Sequence, residues 1–446
     1  MFRLKIAALL LLLTTVTAHA EPVRLSVREV IRIAARENSL VKAAGYRANA
    51  ASQGVGVALS RYYPGIFFEE TYAASNAPTQ NFMMKLDEGR FTQNDFLINN
   101  LNNPGTYHDF KTALTLYQPL FDPSLAPAKE MAVKDAEIQE HGFDATKQDA
   151  GFSAYRTYLE LQKAKGQSLA AEQAVKEAGE SLRLAIVRGE AGFGLKSDEL
   201  RARTHLALAE QNLLSAGNRV VLAGLQLASF LGMDDGAAVE TDAAITTIPI
   251  SRTPDELIAL ALENRSELKQ SRSELARSEA ELKLTQRAYL PSAGAFASYQ
   301  LNANDTPLGA DNNSWRAGVT LTWQLFDGFK RGSEQERSVA NRAAAGEMLD
   351  NGIRTVRLGI RESSMQRDVT AKRLEVARLA VADAEETVRL LSRRFENSLA
   401  TMAELLDAQT VLNQSRANVI DTEADYALAG GRILHAAGIF LKEMLQ

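Results

Sequence analysis

The segment Trp315-Arg316-Ala317-Gly318-Val319-Thr320-Leu321-Thr322-Trp323-Gln324-Leu325 alternates without interruption. Trp, Ala, Val, Leu, Trp and Leu take one face; Arg, Gly, Thr, Thr and Gln take the other, the period-two pattern of a strand. Ala293, Ala295, Ala297, Tyr299 and Leu301 alternate against Ser292, Gly294, Ser298 and Gln300, with Phe296 as the exception. Phe110, Thr112, Leu114 and Leu116 alternate with Lys111, Ala113 and Thr115. The stretch Gly65–Ser75 is less regular, because Glu70 shares a side with Phe68 and Tyr72. Strands are therefore predicted over about 65–75, 107–118, 292–302 and 314–326.

Elsewhere the period is helical. No proline occurs from Ala128 to Ile248 or from Leu308 to Gln446, and both stretches are rich in Ala, Leu, Glu, Arg and Gln. Leu206, Leu213, Val220 and Leu227 recur every seven residues, with Ala209, Ala216, Ala223 and Phe230 three places on. That is a coiled-coil seam whose small members let helices approach closely. A second line, Leu200, Ala207, Leu214, Val221 and Ala228, runs beside it, and Leu405, Leu412, Val419, Tyr426 and Ile433 are apolar at the matching later places. Two seams on one helix imply neighbours on both sides, as in a wall of helices; a monomeric bundle core is the plainer alternative. From Asp122 to Gly189 the first long helix would rise about 100 Å at ~1.5 Å per residue. Its neighbours, before Pro64 and from Ser197 to Gly232, read as single helices of about half that length.

The two halves follow one plan. Glu29 falls over Glu256 and Pro64 over Pro291 at a single offset, and Leu120-Phe121-Asp122 meets Leu325-Phe326-Asp327 at a shorter one. A duplicated, domain-sized unit follows, too long for a solenoid repeat of ~20–50 residues. The expected organisation is a signal peptide at 1–20, a first repeat at 21–232, a linker at 233–252, a second repeat at 253–438 and a tail at 439–446.

Composition then narrows the setting. Arg3 and Lys5, the apolar run Ile6–Leu13 and Ala18-His19-Ala20 before Glu21 read as a secretory leader. With no cysteine, an exported chain of this kind is expected to hold together without disulfides. The formal net charge of −5 offers no basic stripe for phosphates, so no nucleic-acid partner is expected. No later apolar stretch reads as a membrane helix, which leaves a closed β-barrel as the route into lipid. The two tryptophans share the apolar face, about 26 Å apart along a strand at ~3.3 Å per residue, close to the spacing of interfacial aromatic girdles. Four strands are too few to close a barrel, since bacterial ones begin at about eight; three copies giving about twelve is the simplest solution. Asn76–Tyr107, polar and Asn-rich, reads as an extracellular loop.

Near the last long hairpin stands Arg394-Phe395-Glu396-Asn397-Ser398-Leu399-Ala400-Thr401-Met402-Ala403-Glu404-Leu405-Leu406-Asp407-Ala408-Gln409, with the similar Arg188-Gly189-Glu190-Ala191-Gly192-Phe193-Gly194-Leu195-Lys196-Ser197-Asp198 in the first half. With the duplication and the Leu-Phe-Asp pair, these resemble the TolC-like outer membrane efflux protein family over nearly the whole mature chain. The resemblance implies a mainly α fold with a small β part: long coiled-coil hairpins and four transmembrane strands per chain. The chains would trimerise into a twelve-stranded barrel and an α-helical periplasmic tunnel. It implies outer-membrane localisation, a homotrimer in lipid, a periplasmic adaptor (membrane fusion) protein and an inner-membrane transporter, with no enzyme activity and no cofactor. Glu404 and Asp407 would line the periplasmic gate with Asp198, Phe395 and Arg394; a solvated helix face is the alternative. Family members brace the closed gate with an Arg four residues before the first acidic position and a Tyr five before that Arg. Ala400 and Phe395 stand there, so Arg188, Arg393 or Arg394 is expected to reach toward Asp198 instead. Ala191, Gly192 and Phe193, and Asn397, Ser398 and Leu399, would be the adaptor-docking tips. Ser398 replaces the usual Gly, so a looser turn is expected. Trp315 and Trp323 would sit at the membrane interfaces.

Other chemistry stays at background. His19, His108, His141, His205 and His435 have no metal-ligand spacing, and Met83-Met84 alone does not make a soft-metal site. The family resemblance makes export of small compounds the leading expectation. A protein-secretion duct, a soluble periplasmic coiled-coil scaffold and an exported enzyme on a helical scaffold are the rivals, the last lacking any clustered acid, base or nucleophile.

Overall fold

A computed structural model describes residues 23–233, 239–242 and 244–445. The expected leader and part of the linker, 234–238 and 243, lie outside them. In chain order come β1 (Val23–Arg24), α1 (Val27–Glu37), α2 (Ser39–Ser60), β2 (Gly65–Ser75), α3 (Pro78–Asp87), α4 (Ile98–Asn102), β3 (Tyr107–Phe121), α5 (Leu125–Glu190) and α6 (Lys196–Leu231). Then follow β4 (Val239–Glu240), α7 (Pro254–Asn264), α8 (Ser266–Arg287), β5 (Ser292–Ala303), β6 (Asn312–Thr322), α9 (Lys330–Glu396), α10 (Met402–Ala436) and α11 (Phe440–Leu445). The chain forms two compact units. One holds the chain up to Tyr46, His141–Lys269 and everything from Asn351; the other holds Arg47–Glu140 and Gln270–Asp350.

The second unit carries an antiparallel sheet in the order β2-β3-β5-β6. Its register aligns Phe68, Leu114, Tyr299 and Trp315 across one face. Glu69, Ala113, Gln300 and Ser314 are aligned across the other. One face is thus apolar and one polar. Phe296, the break in the alternation, has a local reason: it lies on the polar face opposite Gly318, where a Cβ would come within 3.0 Å of its ring. Tyr117 covers Gly294 in the same way. Glu70, the irregularity in β2, accepts a hydrogen bond of 2.5 Å from Thr112 Oγ1 on the facing strand.

Two strand bounds move. The strand read to 326 ends at Thr322, opposite Ser292 where β5 begins, so Trp323 and Leu325 lie beyond the ladder. β3 runs on to Phe121 through an irregularity at Pro119, whose nitrogen has no hydrogen to donate. The loop after β2 is partly helical, containing α3, the 3₁₀ turn Gln93–Phe96 and α4. The Leu-Phe-Asp motifs start the long helices. Asp122 Oδ1 accepts from Ser124 N at 2.9 Å, and Asp327 Oδ2 from Arg331 N at 3.1 Å, supplying acceptors to helix N-termini that lack them.

The other unit is helical. α1 and α7 both begin with a capping box, Ser26 with Glu29 and Thr253 with Glu256, at the places where the two halves of the sequence align. The helix read as continuous before Pro64 is broken at Asn38, with a matching break at Arg265. Asn38 leaves the helical region at ψ 133°. Its Oδ1 caps Leu40 N at 2.9 Å, and its Nδ2 donates to the Phe230 carbonyl at 3.0 Å. Ile31, Tyr155, Leu257, Ile360, Ile433 and Phe440 are buried together in one core, and Val30, Ala34, Leu161, Leu227 and Leu231 in a second. Each such Val, Leu, Ile or Phe side chain contributes about 1.5–3 kcal/mol on full burial. On α6 the seam Ala209, Ala216 and Ala223 is buried, while the second line is open except at Ala228, Leu214 being 77 % exposed and Val221 61 %. Contrary to the reading that no later stretch resembles a membrane helix, α6 is long and apolar enough to cross a bilayer. Its apolar residues fall on two heptad lines, which accounts for that composition without a membrane.

Candidate functional site: the hairpin tips

Each long helix reverses into its partner through a short turn. The α5–α6 turn begins with Phe193 N donating to the Arg188 carbonyl at 3.0 Å, with Gly192 at φ +81°. The α9–α10 turn closes the same way: Leu399 N donates to the Arg394 carbonyl at 2.7 Å and Ser398 N to that of Phe395 at 3.0 Å. Ser398 adopts φ +61°, the left-handed conformation that glycine takes without cost. The turn is therefore closed, contrary to the looser turn expected from serine.

Arg188 joins the two hairpins. Its Nη1 donates to the Phe395 carbonyl and its Nη2 to Ser398 Oγ at 2.8 Å, while its guanidinium lies 4.5 Å from the Phe395 ring centre. It thereby supplies donors where the C-terminus of α9 presents carbonyls without intrahelical partners. Arg394 Nη2 donates to the Leu399 carbonyl at 3.1 Å within its own turn. Neither arginine ion-pairs with Asp198, which makes no ion pair among the described residues; the expected substitute brace takes another form. Phe395 is 4 % exposed, packed with Ala185, Ala202, Met402, Leu405 and Leu406. It fastens the tip from inside instead of lining a surface.

Glu404 and Asp407 are exposed on α10, one helical turn apart. Glu404 also has a local task. Its Oε2 accepts from Thr401 N at 2.7 Å and from Thr401 Oγ1 at 3.0 Å, and Glu404 N donates back to Thr401 Oγ1 at 3.2 Å. The backbone bond from Thr401, then its hydroxyl, hold the Glu404 carboxyl below its ordinary value. The Thr401-x-x-Glu404 spacing was the signal for this capping box. No spacing announced that Arg188 would reach Phe395 and Ser398 instead of Asp198, nor the deeper cross-links: Arg416 to Glu177 at 2.9 Å and Glu385 at 3.1 Å, and buried Gln409 to Ser181 at 2.9 Å.

At the tips, Phe193 and Leu399 are largely exposed, as are Ala191, Gly192 and Asn397. Trp315 projects from β6, and Trp323, just past its end, donates to the Tyr289 carbonyl at 3.0 Å. Among the described residues no group of three or more His, Cys, Asp or Glu could hold a metal.

Long helical hairpins joined to a sheet with one apolar and one polar face define a class of protein: channel walls of the outer membrane type. The sequence profile of the family described as "Outer membrane efflux protein" matches residues 30–233 and 257–438. The chain belongs to the outer membrane efflux protein family, a family of channels and not of enzymes. It is 22 % identical over 349 residues to the alkaline protease secretion protein AprF of Pseudomonas aeruginosa, covering 75 % of this chain and 70 % of that one. Outer membrane protein TolC of Escherichia coli is 21 % identical over 355 residues, covering 76 % and 71 %. The CmeC outer membrane channel of Campylobacter jejuni superposes with a TM-score of 0.77 at 15 % identity, covering 93 % and 86 %.

Proposed function

We propose that three copies of this chain close a twelve-stranded outer-membrane barrel continued by a helical periplasmic tunnel, a passive exit duct for small compounds. The observation that carries this is the sheet. Its apolar face bears Trp315, Leu114 and Phe68, and its outer strands β2 and β6 each have one unpaired edge. In lipid those edges must find partners, and a barrel closed by further copies provides them. The open second line of α6 gives a helical neighbour its seat. In this reading the two repeats, 21–232 and 253–438, each supply two strands and two long helices, with 233–252 and 439–446 at mid-tunnel. A periplasmic adaptor docks on Ala191–Phe193 and Asn397–Leu399, and an inner-membrane transporter supplies the energy. Glu404, Asp407 and Asp198 ring the mouth, six carboxylates coming from α10 alone, and such rings favour cations. A second reading, a duct for secreted protein, draws on the similarity to AprF, whose name is that of a protease secretion protein.

Detergent extraction, sizing and planar-bilayer conductance test the proposal. A detergent-dependent trimer with small, cation-preferring conductance is expected, and joint Glu404→Ala and Asp407→Ala substitution should weaken the preference for cations. A water-soluble monomer without conductance would overturn it in favour of a periplasmic scaffold.

A further inference from the structure

At the end of the sheet that carries the β2–β3 loop, Asp109 and Asn302 are buried, and Asn302 Nδ2 donates to both Asp109 carboxylate oxygens at 2.9 and 3.1 Å. Both belong to the polar face. The loop is fastened over that end: α3 packs on β3 and β6, and Asn312 Nδ2 donates to the Asp87 carbonyl at 2.9 Å. Arg90 lies 3.8 Å from Asp311.

Glu88, the residue that ends α3, reaches deepest and is 1 % exposed. Its Oε2 accepts the Tyr107 hydroxyl at 2.5 Å, and its Oε1 is buried with no hydrogen-bond partner among the described residues. A carboxylate oxygen buried without a donor is costly while charged and far less so once protonated. The charged and titratable groups around it are Tyr107 and Asp109 from β3, Arg90 from the loop and Asp311 from the approach to β6. Asp87, Lys111 and Glu70 stand about Asp109, and Lys85 lies 5.2 Å from the Tyr107 ring centre.

We propose that Glu88 is a proton-operated latch: protonated, it holds the 76–106 loop down on the polar face of the sheet; charged, it releases it. This rests on the duct reading, in which the polar face lines the pore and the loop end is the outer mouth. Burial, the largest cause, raises the Glu88 carboxyl above its ordinary 4.5, against the Tyr107 hydrogen bond and Arg90 and with Asp109 and Asp311. A carboxyl raised in the closed state favours closure below its open-state value, and that contribution is lost as pH rises through the closed-state value. Acid therefore closes the mouth. One tie within the loop stays charged in that window. The Lys85–Asp95 ion pair spans 2.7 Å, and the hydrogen bonds from Lys85 and Thr92 hold Asp95 at about 2.

The test compares wild type, Glu88→Gln and Tyr107→Phe full-length protein by amide exchange across 76–106 and by bilayer conductance, from about pH 7.5 to about pH 4.5. In wild type, protection should rise and conductance fall with acid, with about a tenfold change in protection per unit by which the Glu88 value is raised. Glu88→Gln should be protected at both pH values. Tyr107→Phe, lacking the donor that favours the charged form, should lose protection more at neutral pH than at acid pH, widening the change between them. Loop protection unmoved by pH in wild type and unchanged in Glu88→Gln, in protein that conducts, would sink the latch and leave the duct. Protection that switches in protein that never conducts would uphold the latch and remove the duct.

Discussion

Arg188→Ala should unfasten the tip. The substitution removes a charge-assisted bond to the Phe395 carbonyl, a second to Ser398 Oγ and the guanidinium face over the Phe395 ring. Hydrogen bonds to charged groups contribute about 1.5–3 kcal/mol each and a partly exposed cation–π contact about 0.5–1 kcal/mol. The Ser398 bond is exposed and the three share one side chain, so the sum is discounted to about 2–3 kcal/mol. The left-handed Ser398 then loses its tether. At about 1.4 kcal/mol per factor of ten, local opening should rise about 30- to 150-fold. Amide exchange at Ser398 and Leu399, whose N–H groups close the turn, reads this directly. Arg188→Lys should recover part of the loss, because an ammonium can reach one acceptor but cannot reproduce the planar fork. Arg393→Ala, whose exposed guanidinium makes no hydrogen bond or ion pair among the described residues, is the control. Unchanged exchange in Arg188→Ala, with the fold intact, would refute the assignment of Arg188 as the tie between the hairpins.

Three other outcomes follow from the same structure. Val319→Arg, midway between Trp315 and Trp323 on the apolar face, should cost about 2–4 kcal/mol in the membrane, whereas Thr320→Arg on the polar face should insert normally; assembly in outer membranes distinguishes them. A Cβ on Gly431 would lie 2.5 Å from the ring of Tyr155, which is 1 % exposed and tied through its hydroxyl to the Ala427 carbonyl at 3.1 Å. Gly431→Val should therefore destabilise the helical unit by about 1–3 kcal/mol or more, seen as a lower unfolding midpoint. Thr401→Ala should cost about 1 kcal/mol at the start of α10 and return the Glu404 carboxyl toward 4.5, measurable by exchange and titration. Because that carboxyl is depressed in the fold, the stability it lends is present above the ordinary value and fades as pH falls through the depressed one. A first turn equally protected at low and neutral pH would contradict this.

The alternation around Trp315, the seven-residue seams and the proline-free stretches determined the helices, the strands and the two faces of the sheet, because a period of two or seven is written in neighbouring residues. The tip motif similarly carried the family. Contacts between residues far apart in sequence were decided only by the tertiary structure. Nothing near Arg188 says that the carbonyl of Phe395, 207 positions on, is its acceptor, or that Phe395 turns inward. Asn38 breaks a helix because Phe230, 192 positions away, gives its side chain a partner. Phe296 looked like an error of pattern until the ladder brought it opposite Gly318. Glu88 sat in a polar loop whose sequence gives no sign of burial, and folding placed that loop over the sheet. Local patterns report which face a side chain takes; which partner it meets depends on how distant segments fold against one another, and that is where a charge becomes a tie or a latch.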